Sequence, residues 1–277
     1  VKAGLIQLTS GDDPVANLPV TQGLIEEAAG KGATLIVTPE VTNCVSQSRT
    51  HQQTVLTTED QDETLRALRV QAQALGVYIV IGSLALKTSE SDGRFANRSF
   101  LISTDGRIVA RYDKIHMFDV EVSKTETYRE SDGYRPGTRA VVGDVGPLRL
   151  GMTICYDLRF PALFRRLAQA GAEIITVPSA FSTVTGAAHW QVLLRSRAIE
   201  TGCYVLAPAQ TGVHHTSTGR ARRTYGHSLA IAPWGEILAD CGTEPGIAIV
   251  DIDPAEVEDA RRRVPSVVHD REFTGPE

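Results

Sequence analysis

The chain predicts an α/β fold. Strand-like and helix-like segments alternate along nearly its whole length, and several strands are apolar without a break. No Pro/Gly/Ser-rich linker divides them. Strands that are apolar at every position need cover on both faces, which flanking helices supply. The 277 residues, 42% hydrophobic and 22% charged, could fill one large α/β domain or two ordinary ones. Without a linker or an internal repeat, one domain over 1–277 with a mixed sheet or paired sheets is the expectation.

Ala3 to Leu8 reads as a first strand rather than the apolar core of a signal peptide. A helix follows over Pro14 to Lys31, then a buried strand over Ala33 to Val37. Leu65, Leu68, Ala72 and Leu75 recur at helical spacing in a segment opened by Thr58-Glu59-Asp60. Val77 to Leu86 is strand-like and rich in β-branched residues. Phe95 to Ser103 and Arg107 to Tyr112 form a hairpin around Thr104-Asp105-Gly106. Lys114 to Gly137 shows no period and is expected as a long polar loop, a length uncommon without a task. Strands return over Ala140 to Val145 and Leu148 to Ile154. After a helix over Pro161 to Ala170 come a strand at Glu173 to Val177, a helix marked by Trp190, Leu193, Leu194 and Ala198, and a strand at Cys203 to Ala207. The tail reads as strands over Tyr225 to Ile231, Glu236 to Ala239 and Gly246 to Ile252, with a helix from Pro254.

Composition excludes several classes. The net charge is −5, without the clustered basic stripe that a nucleic-acid footprint needs. No run reaches the roughly 18 apolar residues required to span a bilayer. Cys44, Cys155, Cys203 and Cys241 are scattered, with no CxxC pair, so neither zinc nor a disulfide framework is expected, and a reducing cytoplasm is the default home. Arg220-Ala221-Arg222-Arg223 lies in a Thr/Ser/Gly-rich loop and could line a site for an acidic substrate; Arg261-Arg262-Arg263 sits among acids and reads as a solvated helix face.

Three reactive side chains stand just past buried strands. Glu40 follows Leu35-Ile36-Val37-Thr38-Pro39, Lys114 follows Ile108 to Asp113, and Cys155 follows Leu148 to Ile154 and precedes a helix opened at Pro161. Singly, they could be a surface acid, a solvated loop charge and a small buried apolar side chain. In open α/β sheets, however, the carboxyl ends of strands converge on the ligand crevice. Together they supply a base, an oxyanion stabiliser and a nucleophile for acyl transfer. A Cys–His alternative would use His189, at the start of a helix, or His227 as the base. The pair His214-His215 lacks the partners a metal site requires.

Thr38-Pro39-Glu40, Tyr112-Asp113-Lys114-Ile115-His116 and Ile154-Cys155-Tyr156-Asp157-Leu158-Arg159-Phe160-Pro161 resemble, in order, the three signature segments of the nitrilase, or carbon–nitrogen hydrolase, superfamily. The similarity runs from the first strand to about Asp253. The resemblance implies a four-layer αββα sandwich, a Glu40–Lys114–Cys155 triad, and homodimers or higher homo-oligomers, with the tail from about residue 254 packing on the domain or the dimer interface. It implies that Lys114 and the backbone N–H of Tyr156 hold the oxyanion. Glu130 matches the family's second glutamate, steering the lysine and the substrate, although a solvated loop acid is the plainer reading.

Pro178-Ser179-Ala180-Phe181, Thr185 to Trp190, Leu194 to Glu200 and Tyr225-Gly226-His227-Ser228 resemble the branch that contains deaminated glutathione amidase and ω-amidase. That branch implies a small anionic α-keto-acid amide and water as substrates, and no metal or organic cofactor. Arg159 is a candidate for the keto-acid carboxylate, which a guanidinium matches bidentately; it could instead pair with Asp157 or a backbone carbonyl. Phe181 and Thr185 could complete the acyl pocket. Hydrolysis of an amide in a deaminated glutathione-like molecule through a thioester is the reading the resemblance favours. Activity on α-ketoglutaramate as an ω-amidase, or N-carbamoyl amino acid hydrolysis, are the alternatives within the class, and a catalytically silent binding protein on the same fold is the one outside it.

Overall fold

The computed structural model describes residues 1–123 and 126–276. The first half forms β1 (Lys2–Gln7), α1 (Pro14–Gly30), β2 (Leu35–Val37), α2 (Arg49–Val55), α3 (Glu63–Leu75), β3 (Tyr78–Leu86), β4 (Phe95–Ile102) and β5 (Ile108–Asp113). Next come β6 (Asp119–Ser123), β7 (Glu126–Arg129), β8 (Tyr134–Arg135), β9 (Val141–Val145), β10 (Leu148–Met152), α4 (Pro161–Gln169) and β11 (Ile174–Thr176). The remainder is α5 (Thr183–Thr201), β12 (Tyr204–Ala207), β13 (Thr211–Val213), β14 (Arg223–Tyr225), β15 (Leu229–Ile231), β16 (Ile237–Asp240), β17 (Gly246–Asp251) and α6 (Pro254–Arg263).

Two sheets stack between helices. One runs β17-β1-β2-β3-β4-β5, with β8 beside β4; the other runs β16-β15-β12-β11-β10-β9. Each has a parallel triple at its centre, β1-β2-β3 and β10-β11-β12, flanked by antiparallel strands. The apolar strands of the first sheet sort their side chains by parity. Ala3, Leu5, Leu35, Val37, Val80 and Leu101 pack toward the second sheet, in one core with Leu150, Met152 and Val205. Ile6, Ile36, Ile79, Ile81, Phe100 and Ile102 pack outward against Ile25 and Ala28 of α1 and Leu65, Leu68 and Ala72 of α3. On the far side, Leu163, Phe164, Leu167 and Ala168 of α4 and Trp190, Leu194 and Ala198 of α5 cover the second sheet. The result is the αββα order, and it accounts for strands without a polar face.

Local chemistry sets the helix ends. Asp13 caps α1 by accepting from Val15 N, with Pro14 at the first helical position. Asp62 caps α3 and Asp253 caps α6 in the same way. The tail folds back: Arg261 Nε donates to Thr201 O at 3.1 Å, and Arg165 of α4 donates to the carbonyl of Ser266 at 2.9 Å.

Four expectations change. The supposed loop over 114–137 holds the β6–β7 hairpin, a 3-10 turn at Glu130–Asp132 and β8. Val120 and Val122 of β6 alternate with exposed Asp119 and Glu121, but a run this short is too brief for periodicity to establish a strand. Helix α2 was invisible for the same reason, and its signal is the Ser48 cap accepting from His51 N. Tyr225 to Ile231 is not one strand: Gly226 and His227 both take positive φ (75° and 55°) and separate β14 from β15. His189 lies well inside α5, which opens at Thr183, rather than at its start.

Candidate active site

Glu40 is delivered by the end of β2. The ladder continues one residue past the strand, with Thr38 N donating to Val80 O at 3.0 Å, before the chain turns. Val41 then adopts φ 47°, its N–H donating to Ser83 Oγ at 2.8 Å. The close approach of β3 requires Gly82, because a Cβ there would lie 2.0 Å from Thr38 O and 2.5 Å from Pro39 O. Gln210 Nε2 donates to the Glu40 carbonyl at 3.1 Å and ties this turn to the second half of the chain.

Lys114 is set by the end of β5. Its N–H donates to Asn97 O at 3.0 Å, and its carbonyl accepts from Gly137 N at 2.7 Å. Cys155 follows β10 at φ 48°, a left-handed conformation uncommon outside glycine, and opens a 3-10 turn over Cys155–Arg159. Val41 and Cys155 are two of three non-glycine residues at positive φ among those described, and both line one cavity. Strained backbone of this kind collects at functional sites. The N–H of Tyr156, at the second position of the turn, has no acceptor within it.

Asp157 fixes this elbow. Fully buried, it accepts from Ile154 N at 2.9 Å, Tyr112 OH at 2.6 Å and His116 N at 3.0 Å, and its Oδ1 lies 2.7 Å from His116 Nδ1. The His116 ring stacks on Phe160 at 3.5 Å. Tyr112 and His116 flank Lys114 at two residues on either side, so one buried carboxylate links the lysine-bearing strand end to the cysteine-bearing turn.

The side chains meet. Lys114 Nζ donates to Glu40 Oε1 at 2.8 Å and to Glu130 Oε1 and Oε2 at 2.9 and 2.8 Å. Asn97 Nδ2 reaches Glu40 Oε1 at 2.9 Å and Glu130 Oε1 at 3.3 Å. Glu40 Oε2 accepts from Ala180 N at 2.8 Å, and Glu130 Oε2 from Phe118 N at 2.6 Å. Glu40, Lys114 and Cys155 are 4%, 2% and 7% exposed. Burial works to raise the Glu40 pKa, but the Lys114 ammonium outweighs it and holds the carboxyl below its usual range. Burial likewise opposes the Lys114 charge, and Glu130 and Glu40 overcome it, so the amine stays protonated far above neutrality. Burial, with the Glu40 charge beside it, pushes the Cys155 thiol up. The resting pair is therefore thiol and carboxylate.

These groups line a cavity of ≈ 420 Å³ with Tyr156, Phe181, Thr185, Tyr128 and Arg222. Asn97 Oδ1, Thr185 Oγ1 and Arg222 Nε, all from that lining, are buried polar atoms with no protein partner. Arg159 stands outside the wall. Its guanidinium lies 5.8 Å from the Tyr156 ring centroid and 5.7 Å from that of Phe181, and it contacts His189 Nδ1 at 3.2 Å rather than Asp157. His189 is exposed, and neither it nor His227 lines the cavity. His214 is buried between Ser10 O and Thr224 Oγ1, both at 2.7 Å. Among the described residues no group of three or more His, Cys, Asp or Glu side chains could hold a metal ion, and no helix is long and apolar enough to cross a membrane.

Asn97, Asp157 and Arg222 were not singled out from the sequence as individual site residues. Asp157 lies two residues past Cys155, but β5 ends at Asp113, so no strand alternation announces that Tyr112 and His116 meet it while Lys114 turns to Glu40 and Glu130. Asn97 had no signal either, lying inside a buried strand whose pattern speaks only of packing.

A thiol, two carboxylates and an ammonium converging in one cavity of an αββα sandwich define a hydrolase of the thiol-amidase type. The carbon–nitrogen hydrolase family model matches residues 2–262, and the chain belongs to that family: it is a cysteine amidohydrolase acting on carbon–nitrogen bonds. It is 40% identical over 268 residues to deaminated glutathione amidase from Yersinia enterocolitica, covering 96% of this chain and 92% of that one. The protein of that name from Homo sapiens is 38% identical, covering 96% and 80%. Among solved structures, C. elegans NitFhit superposes with a TM-score of 0.88 at 33% identity; the match covers 98% of this chain but only 65% of that longer one. A mutant amidase from Nesterenkonia sp. AN1, showing Michael addition of acrylamide at its active-site cysteine, superposes with a TM-score of 0.77 at 25% identity, covering 96% and 98%.

Proposed function

We propose that the chain hydrolyses a small anionic α-keto-acid amide of the deaminated glutathione type, with Cys155 as nucleophile. What supports this most is the convergence of Glu40, Lys114 and Cys155 on one buried cavity, together with relatives named for that amidase. An ordinary thiol is about a few per cent thiolate at neutral pH, and burial lowers that fraction further here, so attack must be coupled to proton removal. Glu40 takes the thiol proton as sulfur bonds to the amide carbon. The oxyanion is held by Lys114 and the N–H of Tyr156, one such donor being worth roughly 10²–10³ in rate. Collapse breaks the C–N bond, and Glu40 returns its proton to the departing amine, leaving a thioester on Cys155. Glu40 then takes a proton from water, whose hydroxyl attacks the thioester; the acid leaves and the thiol is reprotonated. Glu130 positions Lys114, and Phe181 and Thr185 bound the acyl pocket.

Four unpaired cysteines suit a reducing compartment such as the cytoplasm. The exposed Val192 and Ile199 of α5 suit a homodimer joined through that helix. The test is product release from deaminated glutathione, α-ketoglutaramate, a carbamoyl amino acid and a simple nitrile, side by side. Turnover of a keto-acid amide that is abolished in Cys155→Ala, with added mass on Cys155 from a slow substrate, is expected. Turnover surviving Cys155→Ala rejects the mechanism, and preference for the carbamoyl compound rejects the substrate.

A further inference from the structure

Asn97 stands between the two acids of the site. It lies inside β4, 2% exposed, and its backbone carbonyl accepts from Lys114 N at 3.0 Å. Its side-chain Nδ2 carries two hydrogens and has two acceptors, Glu40 Oε1 at 2.9 Å and Glu130 Oε1 at 3.3 Å. The amide cannot be turned over, because that would set Oδ1 against both carboxylates. Oδ1 is instead buried with no protein donor. A buried carbonyl oxygen left unpaired is destabilising, and a residue that keeps one calls for a reason. The reason lies at the other end of the amide.

The donors on Glu40 divide unequally. A carboxylate oxygen offers about two lone-pair directions. Oε1 has both filled, by Lys114 Nζ at 2.8 Å and by Asn97 Nδ2. Among the described residues Oε2 accepts a hydrogen bond from Ala180 N, at 2.8 Å, and keeps one direction open. Ala180 N also faces the sulfur. Burial and the Glu40 charge raise the Cys155 pKa, while Lys114 and a hydrogen bond from Ala180 N act against them. One N–H thus reaches both Oε2 and the thiol, which puts Oε2 on the cysteine side of the carboxylate. Oε1 looks toward Lys114 and Asn97.

We propose that Asn97 is a positioning residue for the base: by filling Glu40 Oε1 it reserves Oε2 as the oxygen that takes the Cys155 proton and hands it to the amine. The proton moves from sulfur to Oε2 as the S–C bond forms, and from Oε2 to nitrogen as the C–N bond breaks. Without Asn97, Oε1 gains an open lone pair turned away from the sulfur, and a proton held there is out of reach of the leaving group. Loss of the donor also disfavours the anion. A strand suits this part better than a loop would: Asn97 pairs with Ala85 across β3 and β4, which fixes where its amide points. The inference rests on Glu40 as the base, as proposed above, and adds the residue that decides which of its oxygens works.

Asn97→Leu removes the amide at nearly the same shape. It should lower kcat by about tenfold with KM little changed, and move the acid limb of kcat/KM up by about one pH unit, what one hydrogen bond to an anion is worth. Asn97→Ser keeps one donor and should lie between the leucine variant and the wild type. If Asn97→Leu does not fold, the same readings are taken on Asn97→Ser. In a Glu40→Gln background either substitution should change kcat no further, since its effect passes through the carboxylate. An acid limb that stays in place, or losses that multiply in the double variant, overturns the proposal and leaves Asn97 a packing residue. A Glu40→Gln enzyme of full activity overturns the assignment of the base, and this inference with it. An inactive Glu40→Gln beside fully active Asn97 variants overturns this inference alone.

Discussion

The Lys114 ammonium and the Glu40 carboxylate lie 2.8 Å apart, and both are almost wholly buried. Neither charge would survive there alone; each keeps the other ionised. Glu40, with its pKa depressed on folding, contributes stability above the ordinary carboxylate range that is lost as pH falls below it. Lys114, with its pKa raised, contributes stability up to the ordinary amine range that is lost only at still higher pH. The pH profile of kcat/KM should therefore be flat through neutrality, with an acid limb below the usual carboxylate pKa. Glu40→Gln should lower kcat by about 10²–10⁴, the range for a general base. An acid limb near that of a histidine, surviving in Glu40→Gln, would assign the base elsewhere.

Glu130 is expected to act through Lys114. It gives the ammonium two oxygens and also accepts from Phe118 N, which anchors the segment leading into β6. Glu130→Ala leaves the lysine one carboxylate short and a backbone donor unpaired. Because the side chain is 14% exposed, water can replace part of what is lost. The expected outcome is a loss of about 3 kcal/mol or less in denaturant unfolding, the low end for breaking a buried pair. The same variant should lose activity in kcat more than in KM. Glu130→Gln keeps an acceptor for Phe118 N and should be the milder change. Equal activity of both variants and the wild type would reduce Glu130 to a surface acid.

How much of this was readable beforehand depends on where a residue gets its constraint. Glu40 and Cys155 are announced by position: each follows an apolar strand, β2 or β10, that pairs in parallel with a neighbour, and such strands bring their ends together. Lys114 instead follows β5, an antiparallel edge strand of alternating burial, so its motif rather than its strand announced it. Tyr134, by contrast, reaches the cavity from β8, a two-residue strand with no period of its own. Arg222 lies in a loop whose basic run suggested an acidic ligand, but only the β13–β14 pairing, Thr211 with Tyr225 and Val213 with Arg223, brings it over the cavity. Arg159 shows the converse. Its type and its place beside the cysteine suggested a carboxylate contact, whereas the 3-10 turn directs it outward over two aromatic rings. Pattern reports burial and strand order; it does not report which way a turn throws a long side chain.

Asp157 should prove as important as the lysine it helps to place. Its two oxygens accept from Ile154 N, Tyr112 OH and both nitrogens that His116 presents, so the cysteine turn and the end of β5 share one anchor. Asp157→Asn keeps the shape but sets an N–H₂ group against donors. Two or more of these bonds become unmade, at about 1–3 kcal/mol each for buried donors left unsatisfied. Tyr112→Phe removes one bond only and should cost about 1–2 kcal/mol. Both should lower kcat while leaving the titration of Cys155 by a small alkylating agent measurable. A stable, fully active Asp157→Asn would show that the turn holds its φ without the carboxylate.

Acid should act on the hairpin that carries Arg222 before it reaches Glu40. His214 is buried with Nδ1 donating to Ser10 O, so Nε2 is left to accept the Thr224 hydroxyl, an arrangement only the neutral ring can make. Burial depresses its pKa to about 4, and the Arg222 charge adds to the effect. A group whose pKa falls on folding contributes its full stability above the unfolded value of 6.5 and loses it as pH drops toward 4. Between pH 7 and pH 5 this one ring should cost on the order of 2 kcal/mol, since the unfolded chain takes up the proton that the folded ring refuses. His214→Asn, whose amide can still donate toward Ser10, should be less stable at pH 7 yet lose that part of the acid dependence. Urea unfolding of both proteins at the two pH values measures the difference. Parallel pH slopes would mean that the ring protonates in place, and that the hairpin tolerates a second positive charge beside Arg222.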